Sequence, residues 1–290
     1  MDKQAPSQIS YAKAAQSRAG QNVIKLIENA MGRQGLINRA QDYDIEIAQG
    51  RSFWEVMLSR YGVSLDLISG SLADIPAQGP LVLVANHPFG ILDGLVMGHI
   101  LSMRRPAFHI LANSVFQNAP ELAGTVLPIS FDETKEAVKL NLETRAAALS
   151  SLKAGGAISV FPGGTVSTAA KPFQRPMDPS WRRFTARMIT KSNATVVPVF
   201  FDGQNSRLFQ LASHIHYNLR VALLLKEFGR RADQPVKIAV GKPISPETIA
   251  ACSHDAQAMM DYLREQTYAL SPQGVANAGY GFEFEEKYKV

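Results

Sequence analysis

The sequence predicts an α/β protein with a central mixed, partly parallel sheet flanked by helices and an N-terminal helical lead-in. Two observations carry this. From Val63 onward, short β-rich apolar runs recur: "VSLDLIS", "LVLVA", "AFHIL", "TVLPIS", "AISVF", "TVVPVFF" and "VKIAVG". Helical stretches lie between several of them, and buried strands alternating with helices are the mark of a sheet covered on its faces. The composition agrees: over 290 residues, 46% are hydrophobic and 19% charged, which suits a folded core and excludes global disorder.

Taken in order, residues 1–62 read as the helical lead-in. "NVIKLIENAM" and "FWEVMLSRYG" place apolar residues at helical spacing, and this segment is one candidate for membrane contact. Residues 63–270 form the α/β domain. Within it, "VSLDLIS" alternates like a strand, and a helix is expected from Asp132 to Lys153 with Asp132 as its N-cap. After Lys242, "PISPETIAACS" and "DAQAMMDYLREQTYAL" read as two closing helices. Residues 271–290 contain several glycines and are expected to form a poorly ordered tail.

The N-terminus is polar and lacks the apolar core of a signal peptide. The uncharged stretch Ile75 to Leu92 is broken by prolines and glycines, so it is not a spanning helix, which needs roughly 20 mostly apolar residues. Membrane contact is therefore expected to be peripheral. Cys252 is the single cysteine, which excludes an intrachain disulfide and fits a reducing, cytoplasmic setting. The formal charge is +5, and the window Lys171 to Lys191 accounts for all of it: six basic residues stand against Asp178 alone. A local anionic partner fits this better than a nucleic-acid coat.

The chemistry concentrates at the ends of apolar runs, where open α/β sheets bind ligands. "LVLVANHPFGILDGL" delivers Asn86 and His87 at the end of one run and Asp93 at the start of a helix. An imidazole is a general base near neutral pH, and a carboxylate fixes its tautomer. Singly, a structural histidine and a helix-capping aspartate are the ordinary readings. "AISVFPGGTVST" follows a strand with Gly163, Gly164, Thr165 and Ser167, a turn whose backbone N–H groups could converge on an anion or merely reverse the chain. "ATVVPVFFDGQNSRLF" ends in Asn205 and Arg207, which could bind a polar head or only close a loop. His214 and His216 lack a third ligand, and no metal is expected. In "PSWRRFTARMITK", Trp181, Phe184, Met188 and Ile189 share a helical face, with Arg182 and Lys191 flanking it and Arg183 and Arg187 opposite. Trp181, Arg182, Phe184 and Arg187 are the candidate membrane contacts. The same stripe could pack on the sheet, and its basic face could dock an acidic acyl carrier protein.

Together, Asn-His-Pro…Asp, "FPGGTVS" and "VVPVFFDG", in this order, resemble the blocks of the glycerolipid (lysophosphatidic-acid type) acyltransferase superfamily. "NHPFGILDGL" and "GQNSRLFQ" are most similar to its bacterial haemolysin-like, ornithine-lipid-associated branch. The resemblance covers roughly Val63 to Lys242. It implies acyl transfer from an acyl-carrier-protein or coenzyme A thioester, with no further cofactor, to the hydroxyl of a lysolipid. His87 takes the place of the catalytic base and Asp93 of its orienter, while Phe161 through Thr165 match the block that binds the acceptor's head. The implied setting is the inner face of the cytoplasmic membrane.

Three departures stand out. Five residues separate His87 from Asp93 where the family has four, leaving Gly90 to absorb the extra one. Gly163 replaces the usual glutamate, and "GTVLPISFDE" lacks the family's arginine. These favour a lyso-aminolipid over a phosphate-bearing lysophospholipid, with Arg207 or the basic window supplying positive charge. Two other readings stay open: a thioesterase-like hydrolase in which His87 activates water, and an inactive lipid-binding protein of the same fold.

Overall fold

The computed structural model describes residues 10–12, 15, 17–113, 122, 124–130, 134–252, 254–275 and 279–284. Four helices, α1 (Arg18–Ala30), α2 (Arg33–Arg39), α3 (Tyr43–Ala48) and α4 (Phe53–Arg60), lead into strand β1 (Ser64–Ser69). There follow β2 (Leu81–Ala85), α5 (Ile91–Arg104), β3 (Phe108–Asn113), β4 (Val126–Ile129), α6 (Lys135–Lys153) and β5 (Ala157–Val160). A two-stranded ribbon, β6 (Thr168–Ala169) with β7 (Pro176–Met177), precedes α7 (Arg183–Ser192) and β8 (Thr195–Asp202). The chain continues through α8 (Arg207–Ile215), α9 (Tyr217–Arg231), β9 (Pro235–Val240), α10 (Pro246–Cys252) and α11 (Ala256–Ala269).

The seven-stranded sheet runs β1-β9-β8-β2-β5-β3-β4. All neighbours are parallel except β8 and β9, so the sheet is mixed and mostly parallel. β2 lies between β5 and β8, and Leu81 is level with Ala157 on one side and Thr195 on the other. This register brings the C-terminal ends of β2, β5 and β8 to one edge.

β2 is buried along its whole length, as a strand covered on both faces must be. Its side chains alternate between two cores. Leu81, Leu83 and Ala85 join Trp54, Met57, Leu92, Val96 and Phe228, from α4, α5 and α9. Val82 and Val84 face the opposite way, against Leu152, Met188, Ile189, Met260 and Leu263, from α6, α7 and α11. Helix α6 is capped by Thr134, whose hydroxyl accepts from Ala137 N at 3.1 Å, while Asp132 lies outside the described residues.

Part of the segment expected to form a loose tail makes specific contacts. Gly281 N donates to Asp178 O (2.9 Å) and Phe282 N to Thr168 O (3.0 Å), laying residues 279–284 beside the β6–β7 ribbon. Arg264 Nη2 donates to Gly279 O at 3.0 Å, and Arg182 pairs with Glu283 at 2.9 Å. No helix among the described residues is long and apolar enough to cross a membrane.

Candidate active site

Asn86 ends β2 by clamping β8. Its amide donates to Phe201 O (3.0 Å) and accepts from Phe201 N (2.7 Å). Asn86 is buried, and both its amide nitrogen and its oxygen bond β8. Its observed contact fixes where the chain leaves the sheet and so where His87 begins.

His87 emerges next, with 18% of its side chain exposed. Its ring stacks on Phe161 at the end of β5, with centroids 4.2 Å apart and planes 23° apart. His87 Nδ1 lies 2.9 Å from Asp93 Oδ2. The contact is close but bent, because the ring N–H does not point straight at the oxygen. Such contacts often straighten only when substrate binds.

Asp93 is wholly buried in the first turn of α5. The same Oδ2 accepts from Phe89 N (2.8 Å) and Gly90 N (3.0 Å). The residue is therefore both helix cap and histidine partner. Burial raises the Asp93 pKa above the ordinary carboxylate value, while His87 and the two backbone donors pull it back down. The five-residue spacing closes because Gly90 adopts φ 82° and ψ −119°, a conformation glycine enters without steric cost. A Cβ there would also sit 3.4 Å from Val166 and 3.5 Å from Leu224. Gly90→Ala is expected to cost about 1 kcal/mol or more of stability and to lower activity by shifting Asp93, as read by thermal unfolding and turnover on one preparation.

The glycine turn beside His87 is held from behind. Gly164 N folds back to Phe161 O at 3.0 Å, so it is occupied, while Gly163 N has no acceptor among the described residues. Ser167 N donates to His87 O (2.8 Å), and its buried hydroxyl donates to Asp178 Oδ1 (2.5 Å). Ser167 thus ties the glycine turn to His87 and to Asp178. Thr165 Oγ1 accepts from Arg220 Nη2 at 3.0 Å. The buried Arg220 also reaches Val166 O (2.7 Å) and Thr168 Oγ1 (2.5 Å).

Asp178 was not anticipated as part of the site. It is fully buried, and its carboxylate accepts from His87 N (3.2 Å), Ser167 Oγ (2.5 Å) and Trp181 Nε1 (2.9 Å). A Cβ built on Gly163 would meet that carboxylate at 3.3–3.4 Å, so the turn has little room for any larger residue. Three segments distant in sequence are tied together here: the His87 turn, the Gly163–Ser167 loop and the start of α7.

Other expected residues fall elsewhere. Asn205 is buried with neither amide group paired, so in this conformation it is closed to a substrate. Arg207 faces a shallow cavity of about 140 Å³ lined also by Phe173, Arg175, Gln204 and Gln210, not by His87. Trp181 packs in the core beside Met188 and Ile189, correcting its expected membrane contact: its apolar face is covered by protein. Phe184 is half-buried under Arg145 (5.1 Å), Arg182 is paired with Glu283, and Arg187 remains exposed. A cation that sequence reading missed, Arg231 at the end of α9, lies 4.2 Å over the Phe89 ring and donates to Gln204 O (2.9 Å). Burial lowers its pKa, with Asp93 foremost among the acids pulling it back up.

The site is thus a histidine beside a buried carboxylate at the carboxyl edge of the sheet. The family model described as Acyltransferase matches residues 70–202, which include His87, Asp93 and the glycine turn. It is 24% identical over 206 residues to a protein of Bacteroides thetaiotaomicron named lyso-glycine lipid O-acyltransferase, covering 69% of this chain and 73% of that one. A protein of the same name from Phocaeicola vulgatus is 25% identical over 212 residues, covering 69% and 71%. Among solved structures, the chain is similar to the 1-acyl-sn-glycerophosphate (LPA) acyltransferase PlsC of Thermotoga maritima. The TM-score is 0.48 at 17% identity, with 93% of this chain and 87% of that one covered.

Proposed function

We propose that this protein transfers a fatty acyl group from a thioester, carried by acyl carrier protein or coenzyme A, to the hydroxyl of a lysolipid. The single observation that carries this is the 2.9 Å approach of His87 Nδ1 to the buried Asp93 carboxylate. With Nδ1 facing Asp93, Nε2 is left to act as base. It takes the acceptor's hydroxyl proton as that oxygen attacks the thioester carbonyl. The tetrahedral oxyanion gathers charge beside Gly163 N. Collapse then breaks the carbon–sulfur bond, and the leaving thiolate regains its proton from His87. Asp93 stabilises the transient imidazolium. No metal or further cofactor enters the scheme.

The names of the two similar proteins, lyso-glycine lipid O-acyltransferase, favour a lyso-aminolipid as acceptor. Where the glycine's carboxylate is free, Arg231, stacked on Phe89 within the His87–Asp93 turn, is the cation we assign to it. Arg231→Met is expected to raise KM for an anionic acceptor about tenfold while kcat changes little. An equal fall in kcat would assign Arg231 to framework. A lipid acceptor and a thioester donor meet at the cytoplasmic leaflet, and we place the protein there as a peripheral enzyme.

The test is a labelled acyl thioester supplied with and without lyso-glycine lipid. Label should move to lipid, with little free fatty acid when the acceptor is absent. Acceptor-independent release of fatty acid would make the protein a hydrolase instead.

A further inference from the structure

Trp181 lies in the core, and besides the N-terminal lead-in two neighbouring features offer a surface for lipid. At the tip of the β6–β7 hairpin, Phe173 is 73% exposed. On α8, Leu208 is 49% and Ile215 70% exposed, with the half-buried Leu211 between them. Spacings of three and four residues put these three on one helical face. Phe209, Ala212 and Ser213 on the other side are buried. The hairpin and the helix meet, since Phe173, Arg175, Arg207 and Leu211 line the same shallow cavity.

Charge points the same way. Lys171 and Arg175 flank Phe173, Arg207 borders the α8 stripe, and all three are exposed. No acidic residue occurs between Gly164 and Met177, or between Gly203 and Lys226. An exposed aromatic and an aliphatic stripe, bordered by these cations, match an anionic bilayer: apolar side chains enter the acyl boundary while basic ones stay among headgroups. An acidic carrier protein would answer the charges but would not require the apolar residues to stand so far into solvent.

We propose that the hairpin tip around Phe173 and the Leu208–Leu211–Ile215 face of α8 form the membrane-docking surface, directed to anionic lipid. The proposal rests on the reading of this enzyme as peripheral. Its test involves no catalysis, so failure would leave the acyl-transfer reading standing.

The full chain is to be sedimented with vesicles of phosphatidylcholine alone and of phosphatidylcholine with phosphatidylglycerol. Binding is expected to the anionic vesicles and to be weak on the neutral ones. Phe173→Ser with Ile215→Ser should cut partitioning at least tenfold. Arg175→Gln with Arg207→Gln should lower anionic-vesicle binding about fivefold per charge. Arg183→Gln with Arg187→Gln, on the exposed side of α7, should bind like wild type. Equal binding by all variants, loss only in the α7 variant, or no binding by wild type would overturn the proposal. So would retained vesicle binding with loss of acyl-carrier-protein capture. Phe173→Trp gives a readout independent of folding defects. Its emission should shift to the blue on anionic vesicles, since the native Trp54 and Trp181 are already buried, and no shift counts against the hairpin.

Discussion

Asp93→Asn is expected to lower turnover by about 10²–10⁴-fold, the scale of impaired general-base catalysis, while leaving the fold at least as stable as wild type. The asparagine oxygen still accepts from Phe89 N and Gly90 N, so the first turn of α5 keeps its cap. His87 Nδ1 approaches that same oxygen, so it keeps an acceptor, but a neutral one. What is lost is the negative charge that stabilises the imidazolium formed when His87 takes a proton. Stability moves the other way because burial disfavours the ionised carboxylate.

The sign follows from proton linkage. Burial holds the folded pKa of Asp93 above its unfolded value. Below the unfolded value the group is protonated in both states, and the stability from this shift is fully present. It is lost as pH rises through the raised folded pKa. Asparagine cannot ionise, so the variant's advantage in thermal midpoint should grow from acid toward neutral pH. A midpoint that falls below wild type at neutral pH would show that the carboxylate stabilises the fold instead.

Asp178 gives the second large effect, on stability as well as rate. Asp178→Ala leaves three buried donors, His87 N, Ser167 Oγ and Trp181 Nε1, without their acceptor. Each orphaned donor costs about 1–3 kcal/mol. A total loss of about 3 kcal/mol or more would lower the thermal midpoint by roughly 10 °C. Asp178→Asn is more discriminating. One oxygen still serves His87 N and Ser167, but the new amide meets the Trp181 N–H donor to donor. Trp181→Phe removes that clash, so the double variant should recover activity relative to Asp178→Asn alone. Added defects without recovery would confine Asp178 to general packing.

The sheet was legible because its strands are continuous apolar runs, the simplest signature of burial on both faces. The His87–Asp93 pair was legible because only one short turn separates its members. Gly90 was identifiable as the residue to absorb the longer spacing, and its left-handed φ accounts for how the turn closes. Asp178 was hidden for a physical reason: a single acid among six cations reads as solvated, and only the fold reveals that it is buried against a backbone 91 residues away. Arg220 was equally hidden, reaching Thr165 across 55 residues. The Trp181 stripe misled because helical periodicity reports an apolar face but not what covers it. Here α7 packs on α6 and α11, so protein covers the face assigned to lipid.

The most direct measurement is the initial rate of acyl transfer to lyso-glycine lipid by the full chain and by His87→Ala, with both shown folded by matched thermal melts. Wild type should form diacylated product, and His87→Ala should be slower by about 10³-fold, the scale of a lost general base. Undiminished transfer by His87→Ala, or no transfer by wild type across a broad panel of acceptors and thioester donors, would contradict His87 as the base of an acyltransferase.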